Sequence, residues 1–182
     1  MRLPRVSALL LLSAALTSPA LCSADDAPDE VRKADDTVAL FKKADPSLAR
    51  FFQSSVGFAV FPSVVKGAIG IGGAGGHGVL YERGRAVGTA SLAQVTVGLA
   101  LGGQAYSEII FFENATTLTD FKSGTFAFAA QVSAIAASAG VAAHAKYEQG
   151  VAVFTEAKGG LMYEASVGGQ KFDYEPFGKV KK

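Results

Sequence analysis

Val87-Gly-Thr-Ala-Ser-Leu-Ala-Gln-Val-Thr-Val-Gly-Leu-Ala-Leu101 is the stretch that decides the fold. Its odd positions read Val87, Thr89, Ser91, Ala93, Val95, Val97, Leu99, Leu101. Its even positions read Gly88, Ala90, Leu92, Gln94, Thr96, Gly98, Ala100. A period of two is the signature of a strand, because successive side chains leave opposite faces of a pleated backbone. The odd row is larger and more apolar, so it is expected to face the core.

Outward from this stretch the pattern is strand after strand. Val56–Phe61 is a short β-type run closed by Pro62. Lys66–Gly78 is Gly-rich, and Val79-Leu80-Tyr81 leads into the turn signal Glu82-Arg83-Gly84-Arg85. Gly supplies the positive φ that such a turn needs. Gly102-Gly103 punctuates, and Ser107–Phe112 is a further apolar run. Gly150–Glu156, Leu161–Val167 and Lys171–Tyr174 read as three more strands, parted by Gly159-Gly160 and Gly168-Gly169. Glycine within strands marks bends, bulges or close backbone approach. The segment 125–146 is Ala-rich, which favours a helix, yet its alternate positions also sort as a strand; the residues leave it open.

All 21 glycines lie between Gly57 and Gly178, so the chain before them has a different character. Val31, Ala34, Val38 and Phe41 fall at helical spacing, with Arg32, Lys33, Asp35, Asp36, Lys42 and Lys43 on other faces. Asp45-Pro46 is an N-cap followed by a first-turn proline, and it opens a short second helix carrying Leu48, Phe51 and Phe52. Asn114–Lys122 reads as another short helix, with Leu118 and Phe121 on one side. The expected architecture is α+β: N-terminal helices packed on a strongly curved, mostly antiparallel, barrel-like Gly/Ala-rich sheet.

Residues 1–24 read as an export signal. Arg2 and Arg5 precede the apolar stretch Ser7–Leu16, Pro19 breaks it, and Cys22-Ser23-Ala24 offers a small-residue cleavage site. The organisation is then a signal at 1–24, a helical segment at 25–54, a β-rich domain at 55–178 and a basic tail at 179–182. Cys22 is a candidate lipidation site, although Leu21 and Pro19 stand where a lipobox wants a small residue and leucine. As the lone cysteine it supports neither a disulfide framework nor a thiolate metal site. The expected location is the periplasm or the outer membrane.

Charge and motifs narrow the function classes. Loss of Arg2 and Arg5 from 17 basic residues leaves 15 against 16 acidic ones. A near-neutral chain lacks the basic field that nucleic acid requires. Gly70–Gly75 and Gly73–Gly78 both match G-x-G-x-x-G. The residues after them are β-like, and no acid lies between Arg85 and Tyr106 to hold a ribose. His77 and His144 have no Cys, His or carboxylate near them at ligand spacing. No serine sits in G-x-S-x-G. No cofactor, no metal site and no catalytic set is therefore expected. A hydrolase would require a serine, a histidine and an acid assembled in space.

One constellation has a direct physical use. Lys42, Lys43, Arg50, Phe51, Phe52 and Lys66 put cations beside an aromatic pair. Lys and Arg meet anionic headgroups while Phe enters the acyl boundary. The competing reading is that the two phenyl rings fasten a helix to the sheet and the cations form an ordinary solvated face.

Five segments in order resemble the SYLF domain family: Val56-Gly57-Phe58-Ala59-Val60-Phe61-Pro62; Lys66-Gly67 with Gly72–Leu80; Val97–Gln104; Phe111-Phe112-Glu113-Asn114; and Val153–Met162. The resemblance covers 56–177. It implies a mainly β body, which favours strand over helix in 125–146. It also implies a non-catalytic lipid-binding module whose partner is phospholipid or a membrane surface. The family's membrane contact is an N-terminal amphipathic basic region, matched here by the helical stretch up to Phe52. That stretch carries seven acids against five bases from Asp25 to Gln53. The rival expectation is a structural envelope protein that binds other proteins.

Overall fold

Asp45 is where the helical segment turns onto the sheet. The structure is a computed structural model that describes residues 26–125, 127–128 and 135–178. Helix α1 (Asp26–Ala44) ends just before Asp45, whose carboxylate accepts from the Ser47 amide and caps a 3₁₀ turn at Pro46–Leu48. Helix α2 (Ala49–Ser54) comes directly after it. Ala34 and Phe41 of the expected α1 stripe are fully buried, and Val31 and Val38 pack beside them. Helix α3 (Ala115–Ser123) lies where the sequence places it, capped by Asn114, with Leu118 and Phe121 buried.

The sheet contains fewer and longer strands than the sequence suggests. β1 runs Gly57–Glu82, β2 runs Arg85–Phe112 and β5 runs Val151–Pro176. They pair antiparallel in the order β1-β2-β5. The expected breaks at Pro62, Gly102-Gly103, Gly159-Gly160 and Gly168-Gly169 are all strand interior. Gly102 takes a positive φ of 120° within β2, a conformation open mainly to glycine, and the glycine pairs of β5 stay in the ladder. Arg83-Gly84 and Gln149-Gly150, each pair at positive φ, make two-residue turns; the first joins β1 to β2 and the second leads into β5.

Each long strand changes direction near its middle. Between Ile69 and Ile71 β1 has one residue. Their partners on β2, Leu101 and Val97, are separated by three residues, Gly98, Leu99 and Ala100. This irregularity marks a corner. The corner lets the two limbs of β1 meet. A Cβ on Gly76 would stand 2.8 Å from the Ser63 carbonyl oxygen, and one on Gly57 would stand 2.8 Å from that of Tyr81. One on Gly78 would overlap the Val60 carbonyl group. Glycine is needed at these places because backbone occupies the space of a side chain.

Two short strands complete the sheet. β3 (Ala127–Phe128) pairs antiparallel with β5, and β4 (Ile135–Ala136) pairs with it in parallel. The described parts of 125–146 contain no α-helix; residues 139–144 are turns. The hydrogen-bonded path runs β1-β2-β5-β3 and is not closed.

Two core clusters pack against the sheet. One cluster joins Ala59, Phe61, Leu80, Leu92, Ile110, Phe112 and Phe172 with Leu118 and Phe121 of α3. The other joins Val60, Val79, Ile109, Phe111 and Phe154 with Ala34, Phe41, Leu48 and Phe51 of the N-terminal helices. The expectation for β2 is reversed in its first limb. The even-row residues Ala90 and Leu92 are buried, whereas Ala93 and Val95 of the odd row are exposed. The larger row faces outward because the inner space between limbs is narrow and is filled by Phe61 and Phe172, whose rings lie 5.8 Å apart.

Candidate functional site

The site grows from the join between helices and sheet. Phe51 is buried against Phe111 (5.4 Å between centroids), Phe154 (5.1 Å) and Tyr147 (5.2 Å). Phe52 meets Phe58 (5.1 Å) and Phe111 (4.8 Å) edge-on. Both rings thus serve to fasten α2 to the sheet, and their outer faces carry cations. The Lys42 ammonium stands 4.5 Å over the Phe52 ring, and the Arg50 guanidinium 4.5 Å over Phe51. Such contacts hold a cation against an apolar surface at an exposed site. Arg50 also donates to the Ala145 carbonyl oxygen. Lys43 is exposed in the last turn of α1.

A cavity of about 560 Å³ opens beside these residues, lined by Arg50, Phe51, Ser54, Glu113, Ala145, Lys146 and Tyr147. The Tyr147 and Ser54 hydroxyls are 3.3 Å apart. Desolvation raises the Tyr147 pKa, so the phenol stays neutral at physiological pH. Two cations, two hydroxyls and an aromatic floor make a surface suited to a phosphate group, with Glu113 as the opposing charge.

Asp45 holds the far wall in place. Its two oxygens accept from the amides of Ser47 (2.9 Å), Gly140 (3.0 Å) and Ala142 (2.7 Å), and from the Ser47 hydroxyl (2.6 Å). Burial opposes its charge, but these bonds outweigh burial and keep the carboxyl below its usual range.

Of the six residues singled out for lipid contact, Lys42, Lys43, Arg50, Phe51 and Phe52 come together. Lys66 does not join them. It lies on β1, paired with Gln104 of β2, eight residues beyond Phe58 and so roughly 25 Å further along the strand. Glu113, Lys146 and Tyr147 were not legible as site residues, because they reach it from segments remote in sequence, and Ser54 ends α2 with nothing in the local pattern to mark it. Cys22 and the 1–24 segment lie outside the described residues.

The two G-x-G-x-x-G matches in Gly70–Gly78 lie inside β1 and precede no helix. His77 and His144 are both exposed. His77 pairs with Ser91, and Ser91 with Asp173, in one row across three strands. That order puts the serine between the other two, whereas nucleophilic catalysis requires the histidine there. Among the described residues no group of three His, Cys, Asp or Glu could hold a metal ion. Among them, too, no helix is long and apolar enough to cross a membrane.

Glu108 is an acid whose placement the sequence did not flag. It is fully buried on β2 between Tyr106 and Ile110. Its Oε2 accepts from Gln170 Nε2 at 3.1 Å, and its Oε1 has no partner. Burial pushes its pKa up to about 7. The available signal was a single carboxylate inside the apolar run Ser107–Phe112.

Protein-family models were compared with the chain and none matches, and no curated protein matches it in sequence.

Proposed function

We propose that this chain is a non-catalytic lipid- or membrane-binding module of the bacterial cell envelope, exported to the periplasm or outer membrane, with a sheet that curls toward a barrel as in the SYLF domains it resembles. The observation that carries the reading is the pair of cations laid over Phe52 and Phe51 beside the 560 Å³ cavity. Lys42, Lys43, Arg50 and Lys146 stand exposed around it. Clustered cations of this kind contribute about 1 kcal/mol each near an anionic surface.

The test is co-sedimentation of purified protein with neutral and anionic vesicles at low and high salt. Binding is expected to favour anionic vesicles and to weaken with salt. The triple variant K42E/K43E/R50E is expected to lose about 3 kcal/mol or more of surface attraction, which at these affinities abolishes detectable pelleting. Absence of binding to every vesicle would overturn the reading and favour a protein partner in the envelope.

A further inference from the structure

The corner of the sheet lies away from the helices, is poor in charged residues and is bordered by exposed valines. β1 has no Asp, Glu, Lys or Arg between Lys66 and Glu82, and β2 has none between Arg85 and Glu108. On β5 Glu164 is the only one between Lys158 and Lys171. The strand register brings these three segments to one end of the molecule: Ile69 pairs with Leu101 and Leu101 with Tyr163, Ile71 with Val97 and Val97 with Val167. At the borders of the corner, Val65 and Val95 are 63% and 66% exposed, with exposed Gly73, Ala93, Gly102 and Gly103 near them.

Cations mark the same border. Lys66 precedes the corner on β1, Lys158 and Lys171 flank it on β5, and both β5 lysines are exposed. The next acids outward on β5 are Glu156 and Asp173. A stretch with one acid, edged by three lysines and carrying outward valines, has the charge and polarity sequence of an interfacial anchor.

We infer that the strand corner bordered by Val65 and Val95 dips into the acyl boundary of a lipid surface, with Lys66, Lys158 and Lys171 at headgroup level. The inference rests on the membrane reading and adds which part of the molecule enters. It places insertion on the sheet, with the helical cations as a second, purely electrostatic contact.

The chain has no tryptophan, so a substituted one is a sole reporter. Val95→Trp and Val65→Trp mark the corner, and Leu40→Trp marks the exposed side of α1, where Leu40 is 50% exposed. Each is mixed with phosphatidylglycerol/phosphatidylcholine vesicles, with and without brominated acyl chains. The expected result is a blue shift and quenching for both corner reporters and neither for Leu40→Trp. V65E/V95E, altered only at exposed sites, is expected to bind about tenfold or more weakly. Pelleting of the protein with unmoved corner reporters would overturn this inference and leave the membrane reading standing. No pelleting with any vesicle would remove both. A dimer in lipid-free solution that V65E/V95E converts to monomer, with vesicle binding unchanged, would assign the surface to a second copy of the chain instead.

Discussion

Asp45 shows how one side chain can set the relation between distant segments. It starts the 3₁₀ turn and also satisfies two amides nearly a hundred residues away, at Gly140 and Ala142. Removing it leaves buried donors without acceptors as well as an uncapped turn. Asp45→Ala is expected to lower stability by about 2–4 kcal/mol, read as a shift of the urea midpoint at constant slope. Asp45→Asn should fall between, because its amide keeps one acceptor but presents N–H groups to a donor. Since the folded pKa lies below the ordinary 3.8, the stability Asp45 gives is present above that value and is lost as pH falls through the lowered one. The N-cap role was legible, because Asp-Pro before an apolar run is a local signal. The grip on 140–142 was not, because nothing in a sequence reports which remote amides lack partners.

At the scale of elements, the helices were legible and the strand ends were not. Apolar spacing placed Ala34 and Phe41 correctly because a helix repeats its contacts every turn. Glycine pairs were read as punctuation, yet Gly102-Gly103 lies within β2, and Gly159-Gly160 and Gly168-Gly169 lie within β5. The sequence also misassigned the faces of the first limb of β2, where Ala90 and Leu92 turn inward. Size and apolarity order the rows correctly only when the inner face has room, and here Phe61 and Phe172 already fill it. The folding of β1 onto itself makes the roles of its glycines separable. Gly78→Ala pushes a methyl group into the Val60 carbonyl and is expected to cost on the order of 3 kcal/mol. Gly73→Ala meets its nearest atom, the Gln94 carbonyl oxygen, at 3.5 Å, which is ordinary contact, and is expected to change stability by less than about 1 kcal/mol. Equal denaturation midpoints for the two variants would refute the close approach of the limbs.

At the scale of the whole molecule, the class α+β comes from periodicity and composition, whereas the site comes from the doubling-back of the strands. That doubling also brings Glu108 and Gln170 together from opposite limbs, since Glu108 pairs with Thr155 in the ladder and Gln170 with Gln94. On β2 the carboxyl lies between Tyr106 and Ile110 and opposite Phe61 in the ladder, and Gln170 donates one bond to it. An isolated buried carboxylate is costly, so the group holds its proton to about pH 7 rather than the ordinary 4.5. Between those two values the folded chain binds a proton that the unfolded chain has released. Stability therefore falls as pH rises from about 4.5 to about 7, and above that the full penalty remains. A shift of this size corresponds to about 3 kcal/mol. Glu108→Gln keeps the shape and an acceptor for Gln170 but cannot ionise. It is expected to match the parent protein near pH 4, exceed it by about 3 kcal/mol at pH 8 and lose this part of the pH slope. Unfolding free energies measured by urea across that range check the assignment. Parallel pH profiles for the two proteins would mean that water or limb opening already solvates the carboxylate, and the interior between the limbs would then be wetter than its packing implies.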